Sequence, residues 1–360
     1  MDDGQLKQSP LAGEHVKLGG RMVPFAGWCM PVQFKGILAE HRAVREKVGV
    51  FDISHMGQVA VSGAGAGSWL EGLLTNRVAE LGIGQGQYTL MLNERGGVID
   101  DLIIYRTGEM AYFLVVNASR RDEDVQWLMS HRRGEVSVVD QSDDFGGLAV
   151  QGPEAERVYA ALRSAGGGPD LPARFGIAGC PDLGVWICRT GYTGEDGFEL
   201  FAPVRTIADW WSRAMEAGAE PCGLGARDSL RLEKCYPLNG NDLSPDHTPL
   251  EAGLGFFVNL EKGDFIGRDV LLRQKQEGLQ RRLVALRCTE KKAPPARSGY
   301  ALYLGEEQVG TLSSGGISPG LGCGIGMGYV RSQAAKVGTK LEMDVRGKRF
   351  GLEVVRKPFV

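Results

Sequence analysis

The chain has 360 residues, of which 43% are hydrophobic and 24% charged, with a formal net charge of −3. That length favours two or three domains over a single core, and the near-balanced charge argues against a nucleic-acid or anionic-membrane partner. No apolar run approaches the ~20 residues that span a bilayer, and the polar start at 1–5 lacks the apolar centre of a secretory leader, so a cytoplasmic location is expected.

Taken in chain order, residues 1–50 offer a polar start, a loop rich in proline and aromatics, and a helix over 37–47 with apolar Ile37, Leu38, Val44 and Val48. From 51 to 139 strands dominate, at 58–62, 88–92, 102–106 and 112–116, interleaved with helices near 68–75 and 119–131. A strand over 148–151 leads to a helix starting at Pro153. Strands at 184–188 and 198–202 flank a glycine-rich loop, and a helix follows over 204–218. The charged stretch 273–280 reads as a linker. Beyond 281, six short alternating runs split by glycine (283–288, 300–304, 308–312, 326–329, 340–345 and 349–355) predict a small β-barrel.

Seven dispersed cysteines without a Cys-x-x-Cys pair predict reduced thiols. Five scattered histidines show no metal-ligand spacing, so no metal is expected. Gly63-Ala-Gly-Ala-Gly67 lacks the full dinucleotide-binding spacing and reads as a turn opening a helix. No phosphate-binding loop and no pyridoxal-phosphate site is evident.

The densest motif is Asn93-Glu-Arg-Gly-Gly-Val-Ile-Asp-Asp101, set between two strand-like runs. Gly96 and Gly97 suit a tight reversal, which predicts a hairpin. Strand alternation sends Asp101 to one face with Ile99 and Ile103, and Asp100 to the other with Val98 and Leu102. A carboxylate among branched apolar neighbours either ends a strand at the surface or meets a cation or donor in a cavity. A second motif, Gly191-Tyr-Thr-Gly-Glu-Asp-Gly-Phe-Glu199-Leu-Phe, forms a tight loop feeding a strand. A third, Gly223-Leu-Gly-Ala-Arg227-Asp-Ser-Leu-Arg231, opens a helix that puts two arginines on one face.

Together with Pro24-Phe-Ala-Gly-Trp28 and Phe51-Asp-Ile-Ser-His-Met-Gly57, these motifs resemble, in order and separation, the aminomethyltransferase (T-protein) family of the glycine cleavage system. The resemblance continues through Thr248-Pro-Leu-Glu-Ala252, Asp264-Phe-Ile-Gly-Arg268 and Ser318-Pro319 to Ile325-Gly-Met-Gly-Tyr-Val330, and so covers essentially the whole chain. It implies an α+β fold of three domains in a cloverleaf, two α+β domains with antiparallel sheets and a C-terminal β-barrel. The implied bounds are 1–50 with 140–272 for a discontinuous folate-binding domain, 51–139 for an inserted domain and 281–360 for the barrel. The implied reaction moves an aminomethyl carbon from the lipoyl arm of H-protein to tetrahydrofolate, a co-substrate, with release of ammonia and without metal or pyridoxal phosphate.

On that resemblance Asp101 matches the catalytic aspartate, and Asp100 becomes a solvent-facing or loop-bonding residue. Glu199 matches a pterin acceptor, lodged between Phe198 and Leu200, and Arg227 matches a folate-contacting arginine. The competing role for Arg227 is an ion pair with Asp228, Glu233 or Glu199. Met56, Tyr88 and Tyr192 fall in motifs that line the folate pocket, with ordinary core packing as their alternative. Asn117 either bonds substrate or caps the next helix, and His55 orients a loop. The chain departs from many relatives at Asn239-Gly240, where they have Tyr-Gly, and it closes at Lys357-Pro-Phe-Val360, short of a tyrosine that some relatives add. Two rival readings are a folate-binding maintenance protein for iron–sulfur enzymes and a folate-dependent demethylase component. Lys234-Cys-Tyr-Pro-Leu-Asn-Gly240 only partly echoes the hallmark of the first, and no flavin domain is attached as in the second.

Overall fold

A computed structural model describes residues 6–290 and 293–360, so the polar start at 1–5 lies outside it. The backbone groups into two compact units. One comprises Met1–Glu71, Arg77–Thr89 and Leu102–Asp228. The other comprises Gly72–Asn76, Leu90–Asp101 and Ser229–Val360.

The first unit is built on a six-stranded sheet in the order Ile177–Cys180, Val185–Cys188, Gly197–Pro203, Phe145–Gln151, Gly49–Asp52, Glu220–Cys222. Every pairing is antiparallel except the last. One face presents Val50, Leu148, Val150, Phe198, Leu200 and Ala202 to Val158, Leu162, Trp210 and Trp211 of the helices Ala155–Gly166 and Ile207–Glu216. That face is the core, and its period-two pattern follows from the pleat. A second sheet runs Gly86–Leu92, Val98–Gly108, Ala111–Val116, Gly57–Ser62, Ser137–Asp140.

The stretch read as a proline-rich loop is instead a hairpin, Arg21–Phe25 with Trp28–Gln33, joined in parallel by Lys7–Gln8. Pro24 and Pro31 hide it from a sequence reading because proline cannot donate to a ladder. The register shift between Arg21 and Met22, opposite Pro31, accommodates one of them. The expected helix forms as Ile37–Glu46, with a different buried face. Ile37 and Leu38 are exposed, while Glu40, His41 and Val44 are buried. Glu40 accepts the backbone N–H groups of Phe34 (2.6 Å), Gly36 (3.0 Å) and Gly223 (2.8 Å), so a saturated carboxylate replaces the apolar contact that periodicity predicted.

At the end of Gly49–Asp52, Asp52 is a second buried hub. It accepts from the Ser54 N–H at 2.8 Å and the Ser9 hydroxyl, and it pairs with His15 Nε2 at 2.8 Å. Burial alone would raise its carboxyl pKa, but these partners outweigh burial and hold it below the usual range.

In the second unit six strands close a barrel in the order Arg281–Cys288, Cys323–Arg331, Glu307–Ser318, Ala301–Leu304, Lys340–Val345, Lys348–Val355. Closure is complete because Arg281–Cys288 bonds to both Cys323–Arg331 and Lys348–Val355. Leu286, Leu302, Leu312, Leu341, Met343 and Leu352 fill it. The expected barrel and the antiparallel α+β sheets are therefore present. The stretch expected as a linker is helical, within Arg268–Glu277, and positive-φ glycines bracket it at Gly267 and Gly278. Among the described residues, no helix is long and apolar enough to cross a membrane.

The same unit contains a saturated charge cluster. Asp242, fully buried, accepts from Arg231 Nη1 (2.9 Å), Ser314 Oγ (2.7 Å), the Leu238 N–H (2.9 Å) and the Ser313 hydroxyl. Arg231 also donates to Ser314 and to the Tyr236 carbonyl.

Candidate functional site

In the first unit, strand alternation fixes Glu199. Phe198 and Leu200, expected to enclose it, point into the core on the opposite face. Glu199 instead stands opposite Cys188 and Ala149 on the neighbouring strands. It is 9% exposed, and its Oε2 accepts the Thr190 hydroxyl at 2.6 Å. Among the described residues Oε1 accepts no hydrogen bond. Burial pushes the Glu199 carboxyl pKa up, opposed by Thr190 and by the Arg227 charge.

Arg227 lies on the helix Leu224–Glu233, with its guanidinium carbon 4.8 Å from the centre of the Tyr192 ring. The alternative ion pair is not formed, and among the described residues no carboxylate lies within ion-pair distance of it. Desolvation lowers its pKa, against the pull of Tyr192 and Glu199, but a guanidinium remains charged. A planar cation and a half-satisfied buried carboxylate thus share one region, each retaining bonding capacity.

The loop that holds Tyr192 over Arg227 is pinned by Gln151. The Thr193 hydroxyl donates to Gln151 Oε1 at 2.9 Å, and Gln151 Nε2 donates to the Thr190 carbonyl at 3.1 Å. A Cβ at Gly191 would fall 1.8 Å from Gln151 Oε1, so any larger residue would displace the amide that pins the loop. Arg45 clamps the far side, donating to the Thr193 carbonyl (2.7 Å) and to Glu195 (2.8 Å).

His55 belongs to this cluster more firmly than the sequence suggested. It is buried, its ring sits edge-on to Phe25 at 5.6 Å, and among the described residues its Nδ1 has no hydrogen-bond partner. Burial and then the Arg227 charge push its pKa down to about 4, with Asp52 pulling the other way, so the imidazole is neutral near pH 7. Met56 follows it, half-buried. Tyr88 and Asn117 are also half-buried but stand on other elements, the strand Gly86–Leu92 and the turn before Arg121–Ser130. Asn117 does not cap that helix, whose N-cap is Arg120 with no side-chain bond. Sequence reasoning passed over Thr190, which touches Glu199, and Tyr105, which touches Thr190, because neither residue type stands out in a strand or loop.

Asp101 lies in the second unit, at the foot of the predicted hairpin. Gly96 takes φ +77°, and the Asn93 side chain accepts the N–H groups of Arg95 (2.9 Å) and Gly97 (3.0 Å) while donating to the Pro245 carbonyl at 2.9 Å. A Cβ on Gly97 would fall 1.8 Å from that carbonyl oxygen. The two aspartates differ as alternation requires, but Asp100 is not solvent-facing. It is fully buried, and Asp101 is the partly exposed one. The amide of Asn239 is buried and lies 3.4 Å from Asp101 Oδ1, a long contact that steers more than it binds.

Comparison with known proteins agrees over the whole chain. Residues 11–262 match the GCVT N-terminal domain, and residues 281–360 match the glycine cleavage T-protein C-terminal barrel domain. An aminomethyltransferase of Geobacillus kaustophilus is 45% identical over 98% of both chains. One of Listeria monocytogenes is 42% identical over 99% of this chain and 98% of its own. Among solved structures, the glycine cleavage system aminomethyltransferase T from Bartonella henselae superposes with a TM-score of 0.93 at 37% identity, covering 99% of this chain and 98% of that one.

Proposed function

The chain belongs to the glycine cleavage T-protein family, the aminomethyltransferases, and from that premise we propose that it transfers a methylene from an aminomethylated lipoyl arm of H-protein to tetrahydrofolate. In that reaction the carbon exchanges its bonds to sulfur and nitrogen for bonds to two folate nitrogens. The two protons those nitrogens lose leave with ammonia and with the dihydrolipoyl thiol. Expelling the amine requires its protonation, and the cationic intermediates require a nearby negative charge. Asp101 is assigned both tasks, with Asn239 orienting its carboxylate.

Glu199 and Arg227 are assigned the folate. An ionised carboxylate accepts paired N–H donors such as a pterin edge offers, and a guanidinium suits a carbonyl or carboxylate. Met56, Tyr88 and Tyr192 are assigned to the pocket wall and Asn117 to substrate hydrogen bonding. The three-domain division at 1–50 with 140–272, 51–139 and 281–360 is part of the same reading, as is a cytoplasmic location. Support for the last segment comes from its match to the barrel family over 281–360.

The observation that carries the ligand assignment is the buried Glu199, in the electrostatic reach of Arg227, where among the described residues one Glu199 oxygen accepts no hydrogen bond and Arg227 has no carboxylate partner. Titration calorimetry with tetrahydrofolate tests it. Glu199→Ala, with the fold intact, should weaken binding by about 1–3 kcal/mol. Unchanged affinity would remove Glu199 from the site. Formation of ammonia and methylenetetrahydrofolate from aminomethylated H-protein tests the reaction itself.

A further inference from the structure

Behind Glu199 lies a row of hydroxyls that the transfer chemistry does not call for. The Tyr105 hydroxyl, on the strand Val98–Gly108 and fully buried, is 2.7 Å from Thr190 Oγ1, and Thr190 Oγ1 is 2.6 Å from Glu199 Oε2. The proton positions follow from valence. Thr190 has one hydroxyl proton, and the carboxylate, which has none when ionised, takes it. Tyr105 must then donate to Thr190, which fixes the order Tyr105 to Thr190 to Glu199. The Cys188 side chain lies within hydrogen-bonding reach of the same phenol.

The titratable groups around Glu199 sharpen the arrangement. Cys188, directly opposite on the adjacent strand, and Tyr105 are both buried, which pushes each well up and keeps each neutral. His55 is neutral, and Arg227, stacked on Tyr192, is the cation. Glu199 is therefore the carboxylate that faces the Arg227 charge in this group.

We propose that Tyr105 and Thr190 are positioning residues that hold Glu199 as an acceptor, with Oε2 occupied and Oε1 turned to the ligand, so that the site selects ligands presenting N–H donors. The proposal rests on the folate reading of Glu199. It gives Thr190 a role in specificity without contact to the reacting atoms. Hydrogen bonds to a charged form favour that form, so in this relay the Thr190 bond opposes the rise that burial gives the Glu199 carboxyl.

The test is the pH dependence of tetrahydrofolate affinity, measured by calorimetry from pH 5 to 8 on the full-length wild type, Thr190→Val, Thr190→Ser and Tyr105→Phe. Wild-type affinity should fall on acidification as Glu199 takes up a proton. Thr190→Val should move the midpoint of that fall upward by about one pH unit, Tyr105→Phe by a few tenths in the same direction, and Thr190→Ser should restore the wild-type profile. If Thr190→Val binds more weakly at every pH by the same factor, its midpoint unmoved, the relay is wrong and the residue is only structural. If the wild type itself shows no saturable binding, the folate reading falls and the relay falls with it.

Discussion

Arg227 and Arg231 stand one turn apart on the helix Leu224–Glu233, yet their surroundings have little in common. Arg231 is 3% exposed and is met by Asp242, Ser314 and the Tyr236 carbonyl. Arg227 is stacked on Tyr192 and, among the described residues, has no carboxylate partner. The same contrast recurs between the carboxylates. Among the described residues Asp242 receives four donors, while Glu199 receives one on Oε2 and none on Oε1. Buried charge is costly, so a fully answered group is sufficiently explained by architecture. A half-answered one calls for a further partner, and under the proposed function that partner is the folate.

The largest effect should separate the two adjacent aspartates. Asp101→Asn should keep folate affinity and melting temperature while turnover falls by about 10²–10⁴-fold, the usual range for a lost acid–base group. Asp100→Asn should do the reverse, because a fully buried carboxylate exchanged for an amide misplaces a donor, at about 1–3 kcal/mol of stability. Steady-state rates and melting curves on both variants decide it, and equal loss of turnover in the two would undo the assignment.

The arginines sharpen the contrast next. Arg231→Met should destabilise the protein by about 3–5 kcal/mol by stranding Asp242. Arg227→Met should unfold within about 1 kcal/mol of wild type while weakening tetrahydrofolate about tenfold. Denaturant titration beside calorimetry measures both quantities. A folate-neutral Arg227→Met would mean that an unpaired guanidinium here marks nothing.

A smaller effect distinguishes two histidines. His15 Nε2 is bonded to Asp52, whereas burial and the Arg227 charge push the His55 pKa down to about 4, below the 6.5 of an unconstrained imidazole. Between those values the unfolded chain binds the proton and the folded one does not. The stability held above pH 6.5 is therefore lost progressively on acidification towards pH 4, by up to about 3 kcal/mol. Unfolding free energies at pH 7.5, 6 and 5 should fall more steeply for wild type than for His55→Gln, and parallel slopes would refute it.

These pairs also show where a sequence can be read. The barrel was legible because its strands are short and turn glycines such as Gly305 and Gly347 separate them, with alternation plainest in Lys340–Val345. The hairpin at 93–101 was legible because Gly96 and Gly97 are required there. Glu40 was invisible because an acidic residue early in a helix usually faces water, and nothing local reveals the three N–H groups that converge on it. The environment of Glu199 was misread for a related reason: its sequence neighbours Phe198 and Leu200 face away, and its true neighbours Cys188 and Thr190 come from other segments. Pairwise chemistry between distant segments, unlike periodicity, leaves no mark at either position.

The closed ring of strands from Arg281 to Val355 has one more consequence, for self-association. A strand hydrogen-bonded on both sides gives another chain nothing to extend, so this part of the molecule cannot seed edge-to-edge aggregation. The six-stranded sheet of the first unit is open, and its two outermost strands are guarded differently. Glu220–Cys222 is only three residues long and carries Pro221, which has no N–H to offer, and Ile177–Cys180 is four residues long and interrupted by Gly179. Changes that lengthen either strand, or that replace Pro221 with a β-branched residue, are where solubility on overexpression would be lost first.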